Sequence, residues 1–242
     1  MRIPRLYCPE LDLAATTMAL PDSAIRHAVQ VLRLKVGSSV RLFDGKGNEC
    51  EAQLEVIARR NAEVILGKRI ESTNESPLEI TLLQGISRGE RMDYALQKAV
   101  ELGVTRIIPV ETERCNVQLS GDRKAKRWSH WQGVMISACE QCGRNLLPDL
   151  SKVVGLEDAL QQREISVGLV LDPLAGKGLM EINKNEKFTL LIGPEGGLTE
   201  DELTKTEAAG FERVRFGPRT LRTETASVAV LAIIQALWGD LG

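Results

Sequence analysis

A regular alternation of strand-like and helix-like segments after residue 78 is the feature that most constrains the fold. Several strand candidates are apolar throughout rather than alternating, which indicates burial on both faces. Parallel strands covered by helices produce such burial, so the sequence predicts an α/β fold with a parallel sheet. The predicted strands cover residues 80–84, 106–110, 167–171, 189–192 and 213–216. The predicted helices cover residues 92–102, 122–142, 156–162, 200–209 and 224–238.

The amino-terminal part of the chain has a different pattern. Asp22 is placed to cap a short helix that extends to Leu34, and strands are predicted at residues 40–43 and 64–66. Between these strands, apolar and polar residues alternate from Glu49 to Val56, with the apolar set on one face and the glutamates on the other. Short strands and tight turns predict a small β-barrel. The polar stretch at 71–78 then predicts two domains, 1–72 and 73–242.

Composition limits the classes of function. The formal net charge is −2, so bulk charge does not mark the chain as a nucleic-acid binder. Because aromatic residues make up only 4% of the 242 residues, any contact with nucleic acid must rely on arginine and lysine more than on stacking. No apolar run reaches the roughly 18 residues of a membrane span, and the amino terminus has no apolar signal core. We therefore expect a cytoplasmic protein without a membrane partner.

The cysteines and histidines predict neither a disulfide framework nor a metal site. Five cysteines are an odd number, and Cys139 and Cys142 form one C-x-x-C without a second pair. His27 and His130 have no ligand spacing to that pair, whereas a zinc site needs about four ligands. Two ordinary thiols in a helix and a redox-active dithiol both remain open for Cys139 and Cys142.

The strongest local motif is Gly193-Pro194-Glu195-Gly196-Gly197, directly after a predicted strand. Glycines let the backbone approach a ligand closely, and the carboxyl ends of strands are where α/β folds bind ligands. Thr199 and Glu202 then form a capping box. The acidic residues at 200–202 interact favourably with the helix dipole and would repel a phosphate. The motif therefore favours a cofactor without phosphates.

A second turn of the same kind follows the predicted strand 213–216. It reads GPRTLRTETA over residues 217–226 and concentrates Arg219, Arg222 and Glu224 before an apolar helix. A third strand end carries Leu171-Asp172-Pro173. Three such strand ends predict one cleft built from neighbouring loops. The alternative for each is structural: a plain tight turn, surface arginines, and Thr223 as a simple helix cap.

Together these segments resemble the SPOUT methyltransferases, and the whole chain is similar to their RsmE family. The resemblance lies in GPEGG and FGPRTLRTETA for the cofactor loops. It extends to MRIPRLY, HAVQVLR and FDG in the amino-terminal part, and to RGERM, QKAVELGV, ERC and EQCGR in the second. It implies a PUA-like RNA-binding barrel followed by a methyltransferase domain with a deep carboxyl-terminal trefoil knot. It also implies a homodimer that methylates N3 of a uridine in 16S ribosomal RNA of the 30S subunit, with S-adenosylmethionine as cofactor.

The resemblance also implies roles for single residues. Arg222 is the candidate that stabilises the developing uracil anion, and Glu224 is the candidate base or base-orienting group, although a first-turn carboxylate that only answers the helix dipole is an equal alternative. The arginines expected to contact RNA are Arg5, Arg33, Arg88, Arg114 and Arg144. The residues expected around the cofactor are Leu171, Asp172, Gly193, Pro194, Glu195, Gly196, Phe216, Gly217, Leu221, Arg222 and Thr225.

Two alternative functions stay open on the sequence. One is a SPOUT methyltransferase that acts on another site in ribosomal or transfer RNA, or on a ribose hydroxyl. The other is a non-catalytic RNA-binding protein of ribosome assembly that uses the amino-terminal barrel. The paired glycine turns argue against the second alternative, because a pure binding protein does not need a cofactor cleft.

Overall fold

The computed structural model describes residues 3–58, 61–71, 74–117, 120–162 and 166–242. The chain divides into two compact units. The first comprises Met1–Glu75 together with Ile136–Leu147, and the second comprises Ser76–Met135 together with Pro148–Gly242. The predicted boundary joins residues 72 and 73, which lie outside the described residues. The sequence predicted two contiguous domains, but in the structure Ile136–Leu147 belongs to the first unit.

The first unit is built on one mixed sheet. Its strands are β1 (Arg5–Tyr7), β2 (Thr17–Ala19), β3 (Ser39–Phe43), β4 (Glu49–Ile57) and β5 (Ala62–Ile70). In the described residues the order is β1-β3-β4-β5-β2, where β1 pairs with β3 in parallel and the other pairs are antiparallel. The predicted strands are present but longer, and β1 and β2 were not predicted.

Two details of the first unit differ from the sequence prediction. The helix α1 (Asp22–Ile25) has Pro21 at its N-cap position, so Asp22 lies inside the first turn instead of capping it, and the chain continues as a π-helical turn over Arg26–Val31. In β4 the alternation holds for Cys50, Ala52 and Leu54, which are buried. Glu49, predicted on the exposed face, is 2% exposed because it forms an ion pair with Arg5.

The second unit has the predicted parallel sheet with helices between its strands. Its described strands are β6 (Glu79–Gly85), β7 (Arg106–Glu111), β8 (Asp149–Leu150), β9 (Val154–Gly155), β10 (Val167–Leu171), β11 (Lys187–Ile192) and β12 (Phe211–Val214). They follow the order β12-β10-β11-β6-β7-β8, and β9 also pairs with β7. All these pairs are parallel. The helices are α2 (Glu90–Glu101), α3 (Asp122–Cys142), α4 (Leu156–Gln161), α5 (Glu200–Ala208) and α6 (Thr223–Trp238).

The last strand lies two residues earlier than predicted. We expected 213–216, but β12 covers Phe211–Val214 and pairs Phe211 with Gly168 of β10. A side chain at Gly168 would lie 2.9 Å from the Phe211 ring, so the glycine provides the space in which that ring is buried. This long-range contact fixes the register, and no local pattern contains it. Phe216 consequently belongs to the loop after the strand.

No helix of the described residues combines the length and the apolar character that crossing a bilayer requires.

Candidate active site

Three loops of the second unit meet at the carboxyl edge of its parallel sheet. They follow β10, β11 and β12, which are adjacent strands. The loops surround a cavity of about 740 Å³, within the range of small-molecule sites. Ten of the eleven residues expected around the cofactor line it: Leu171, Asp172, Gly193, Pro194, Glu195, Gly196, Phe216, Gly217, Leu221 and Arg222. Thr225 is exposed and is not among the lining residues.

We call residues 193–197, the turn after β11, the glycine turn. It is held by its own backbone and by two arginines. The amide of Gly197 donates to the carbonyl of Pro194 at 2.9 Å, with φ of +70° at Gly197. Such a φ favours glycine. The Glu195 carboxylate accepts from the amide of Arg88 at 3.0 Å and from Arg91 at 3.1 Å. Burial by itself raises the pKa of Glu195, but these donors outweigh it and hold the pKa below its ordinary value.

The predicted capping box at the start of α5 is confirmed. Thr199 accepts from the amide of Glu202 at 3.2 Å, and Glu202 accepts from the amide of Thr199 at 2.9 Å. The buried Glu202 carboxylate also accepts from the amide of Glu113 at 2.8 Å. The amino end of α5 is thus satisfied by a protein carboxylate, as expected for a site that does not bind phosphate there.

Asp172 fixes the loop after β10. Its carboxylate accepts from the amide of Leu174 at 2.9 Å, and the residue is 7% exposed. Arg213 lies 3.5 Å from this carboxylate and also pairs with Glu200 at 2.7 Å and Glu207 at 3.0 Å. One guanidinium therefore links the loop after β10 to helix α5.

The third loop presents Arg222 to the cavity. Arg222 has the extended backbone of an N-cap residue before α6, and its side chain is exposed with no hydrogen bond to the described residues. Glu224 lies in the first turn of α6 but does not line the cavity, and its Oε2 is buried without a partner among the described residues. The structure brings Arg222, but not Glu224, to the cofactor loops. Thr223 is the first helical residue and not the cap.

Three residues next to the glycine turn were not predicted to take part in the site. Gln84, Thr223 and Ser227 are buried and hydrogen-bonded to one another, and Thr223 also reaches the carbonyl of Gly193. A weak signal exists in the sequence: Gln84 ends an otherwise apolar strand, and Ser227 interrupts an apolar helix. Arg91 lines the cavity and binds Glu195. The sequence marks it only as part of the RGERM motif and predicts no role for it.

Two of the five arginines expected to bind RNA are interior residues, which corrects that prediction. Arg5 is 6% exposed, pairs with Glu49 at 2.9 Å and donates to Cys139, Arg144 and Asn145. Arg144 is 4% exposed and pairs with Glu75 at 2.8 Å. Guanidinium groups satisfied inside the first unit are not available to a phosphate backbone.

The other three arginines are exposed. Arg33 has φ of +53° just after the π-helical turn, and Arg88 contacts the carbonyl of Asn116 at 3.4 Å. Arg114 lines the cavity and lies 3.3 Å from the carbonyl of Leu198 and 3.4 Å from that of Gly196. These three remain candidates for RNA contact.

The cysteines are all free thiols. Cys139 is buried, and burial raises the pKa of its thiol to about 12. A thiol that stays protonated at neutral pH is a poor nucleophile, which favours the ordinary-thiol interpretation over a redox pair. Within the described part of the chain, no cluster of three or more histidine, cysteine or carboxylate side chains could hold a metal ion.

Comparisons with known proteins match both parts of the chain. Residues 74–235 match the family described as RNA methyltransferase domain, and residues 20–67 match the RNA methyltransferase PUA domain. The ribosomal RNA small subunit methyltransferase E of Buchnera aphidicola (strain Sg) is 34% identical over 242 residues, covering 99% of this chain and 98% of that protein.

Two solved structures with S-adenosylmethionine bound are also similar. A methyltransferase from Legionella pneumophila has a TM-score of 0.96 at 38% identity. Ribosomal RNA small subunit methyltransferase E from Neisseria gonorrhoeae has a TM-score of 0.92 at 43% identity. Both matches cover 100% of this chain and 100% of the other.

Proposed function

This chain belongs to the RNA methyltransferase family, and from that premise we propose that it methylates N3 of a uridine in 16S ribosomal RNA. It is an S-adenosylmethionine-dependent methyltransferase of small-subunit ribosomal RNA. The observation that carries the proposal is the cavity of about 740 Å³ formed by three neighbouring loops, with Arg222 at its wall.

The residues of the cavity fit this cofactor. Glycine backbone and the apolar side chains of Leu171, Ile192 and Phe216 suit an adenosine and the methylene groups of a methionine chain. The amino end of α5 is already occupied by Glu202, so a phosphate finds no free helix terminus there. When bound, the cofactor supplies an electrophilic methyl group on a positively charged sulfur.

The contribution of the chain is to orient the uracil and to stabilise its charge. Uracil N3 carries a proton and becomes nucleophilic when that proton leaves, which places negative charge on the ring carbonyls. The planar guanidinium of Arg222 can donate to such an anion, and its side chain is not engaged by the described residues. Glu224 would act as a base-orienting group rather than as the base itself, since it does not line the cavity.

RNA would be held by the exposed arginines Arg33, Arg88 and Arg114. Two of them, Arg88 and Arg114, lie beside the glycine turn: the amide of Arg88 binds Glu195, and Arg114 contacts the carbonyl of Gly196. An RNA strand that reached them would pass next to the cavity. Binding through phosphates should weaken steeply as salt rises.

The decisive experiment maps the product. Purified 30S subunits and free 16S RNA from a strain that lacks the enzyme are incubated with the chain and the cofactor, and modified nucleotides are located by mass spectrometry. We expect one methyl group on N3 of a single uridine. Methylation of a ribose or of another base would support the alternative substrates. Cofactor binding without any methyl transfer to RNA would support a non-catalytic assembly role.

A homodimer is part of the proposal. Helix α6 buries Val230, Leu231 and Ile234 completely, whereas Leu237 is 39% exposed and Val228 and Ile233 are half-buried. An apolar helix that is incompletely covered by its own chain can be covered by a second copy. Light scattering at micromolar concentration should give twice the 26.6 kDa mass of one chain. A mass of one chain would contradict the dimer.

The trefoil knot and the cytoplasmic location are further proposals from the family. Support for the knot is that β12 pairs with β10 rather than with β11, which precedes it in the chain. After β12 the chain continues into α6, which packs on α2 and β11. A ribosomal RNA substrate supports a cytoplasmic location.

A further inference from the structure

A buried chain of hydrogen bonds connects three elements beneath the cofactor cavity. Thr223 Oγ1 lies 2.7 Å from the carbonyl oxygen of Gly193 and 3.1 Å from Gln84 Nε2. Ser227 Oγ lies 2.6 Å from Gln84 Oε1 and 3.0 Å from the carbonyl oxygen of Thr223, so Gln84 is the nearer of its two acceptors. The four residues come from the loop after β11, the end of β6 and the first two turns of α6.

The direction of these bonds is determined by the donors available. A threonine hydroxyl has one proton, and since the Gly193 carbonyl can only accept, Thr223 donates to it and accepts from Gln84. The amide nitrogen of Gln84 also lies 3.2 Å from the carbonyl of Gly85. The reverse amide orientation would place two oxygens against each other there. Ser227 therefore donates to Gln84, Gln84 donates to Thr223, and Thr223 donates to Gly193.

These groups have little freedom to rearrange. Gln84 and Ser227 are fully buried, and Thr223 is 6% exposed. The backbone at the end of β6 also touches the glycine turn, because a Cβ on Gly85 would lie 2.5 Å from Pro194 N. A buried polar group that loses its partner at such a place finds no water to replace it.

One end of this chain of bonds lies on the cavity, and the other end, Ser227, does not. Gly193 and Thr223 both line the cavity, and Arg222 immediately precedes Thr223. We propose that Gln84, Thr223 and Ser227 are positioning residues that hold the carbonyl of Gly193 against the start of α6. They thereby keep the glycine turn and Arg222 at a fixed spacing on two walls of the cavity. This inference rests on the proposed cofactor site.

The test compares two threonine-to-valine substitutions. One lies beside the cavity at the carboxyl ends of the parallel strands, and the other lies at their amino ends. Thr223→Val removes the hydroxyl in this chain of bonds. Thr189→Val removes a hydroxyl that is 2% exposed and bonded to Ser166 at 2.7 Å, at the amino ends of β10 and β11 and away from the cavity. Cofactor affinity is measured by calorimetry, KM and kcat by methyl transfer to 30S subunits, and stability by thermal unfolding. Thr223→Ser, which keeps the hydroxyl, is the rescue variant.

We expect both valine variants to lose thermal stability to a similar extent. Only Thr223→Val should raise the Kd and KM for S-adenosylmethionine, by about tenfold, the size expected when a buried group loses its hydrogen bond. Thr223→Ser should restore both values to within about twofold. If Thr223→Val does not fold, Ser227→Ala should raise the Kd in the same direction by a smaller factor.

Several results would overturn the inference. Unchanged cofactor affinity in Thr223→Val, or in Ser227→Ala where only that variant folds, would show that these bonds serve stability alone. Equal weakening by Thr223→Val and Thr189→Val would show a general effect of destabilisation. Absence of binding by the unsubstituted chain would contradict the cofactor site itself, and normal binding by every variant would contradict only the role of these residues.

Discussion

Arginine side chains in this chain have two different physical roles. Arg5 and Arg144 are buried and paired with Glu49 and Glu75 inside the first unit. Arg222 is exposed at the wall of the cavity and has no protein partner among the described residues. A sequence motif marks both kinds equally, because it records the residue type and not its partner. Only the carboxylates, which lie far away in the sequence, distinguish an interior guanidinium from one available to RNA.

Replacement of Arg222 tests the catalytic assignment. Arg222→Ala should lower kcat by roughly 10²–10³-fold, the usual loss when one donor to a developing anion is removed. The Kd for S-adenosylmethionine should change much less, because the glycine turns remain. The measurement is transfer of a labelled methyl group together with calorimetry. Arg215→Ala, which removes an exposed arginine from the same segment that does not line the cavity, is the control. Unchanged turnover in Arg222→Ala would refute the assignment.

Replacement of Arg33 tests the RNA surface of the first unit. Arg33→Gln should weaken binding to 16S RNA and reduce the slope of log K against log salt by about 0.7–0.9, the value for one lost phosphate contact. The stability of Arg33→Gln should be nearly unchanged, because the side chain is exposed. An unaltered salt slope in Arg33→Gln would show that Arg33 does not contact RNA.

Replacement of Arg5 tests the interior role of the other arginines. Arg5→Ala should lower the free energy of unfolding by about 3–5 kcal/mol, since Glu49 is left buried without its partner.

At the level of elements, local pattern predicted most of the second unit. The strands at β6, β7, β10 and β11, the helices between them and the Thr199 capping box all follow from periodicity and capping chemistry. The shift of β12 and the role of Gln84 could not be predicted. The first depends on the fit of Phe211 over Gly168, and the second on a bond from Gln84 to Thr223, 139 residues further along the chain.

Close backbone approach between two elements gives a sharp prediction at Gly85. Gly85→Ala places a Cβ 2.5 Å from Pro194 N and 2.7 Å from Gly193 C, so the glycine turn must move. We expect S-adenosylmethionine to stabilise this variant less in thermal unfolding, because the stabilisation by a ligand at free concentration L is RT ln(1 + L/Kd) and falls as Kd rises. Gly133→Ala in α3, where no atom lies within 4 Å, is the control and should retain the full ligand-induced shift. An equal shift in both variants would show that the turn tolerates displacement.

At the level of the whole molecule, the chain does not divide into two continuous pieces. Ile136–Leu147 belongs to the first unit through contacts that span more than half of the sequence, such as Arg5 with the carbonyl of Cys139 and Tyr7 N with Glu140 at 3.1 Å. A polar linker at 71–78 was visible in the sequence, but this return was not. Helix periodicity over α3 is the same whichever unit its residues contact, so pattern alone cannot assign them.

The central claim is that the three loops of the second unit form a site for S-adenosylmethionine beside Arg222. Its most direct test is a calorimetric titration of the purified full chain with S-adenosylmethionine, alongside the Gly85→Ala variant. We predict saturable binding with one site per chain, and binding that is weakened at least tenfold by Gly85→Ala. No heat of binding from the unsubstituted chain, or equal affinity in the two proteins, would contradict the claim.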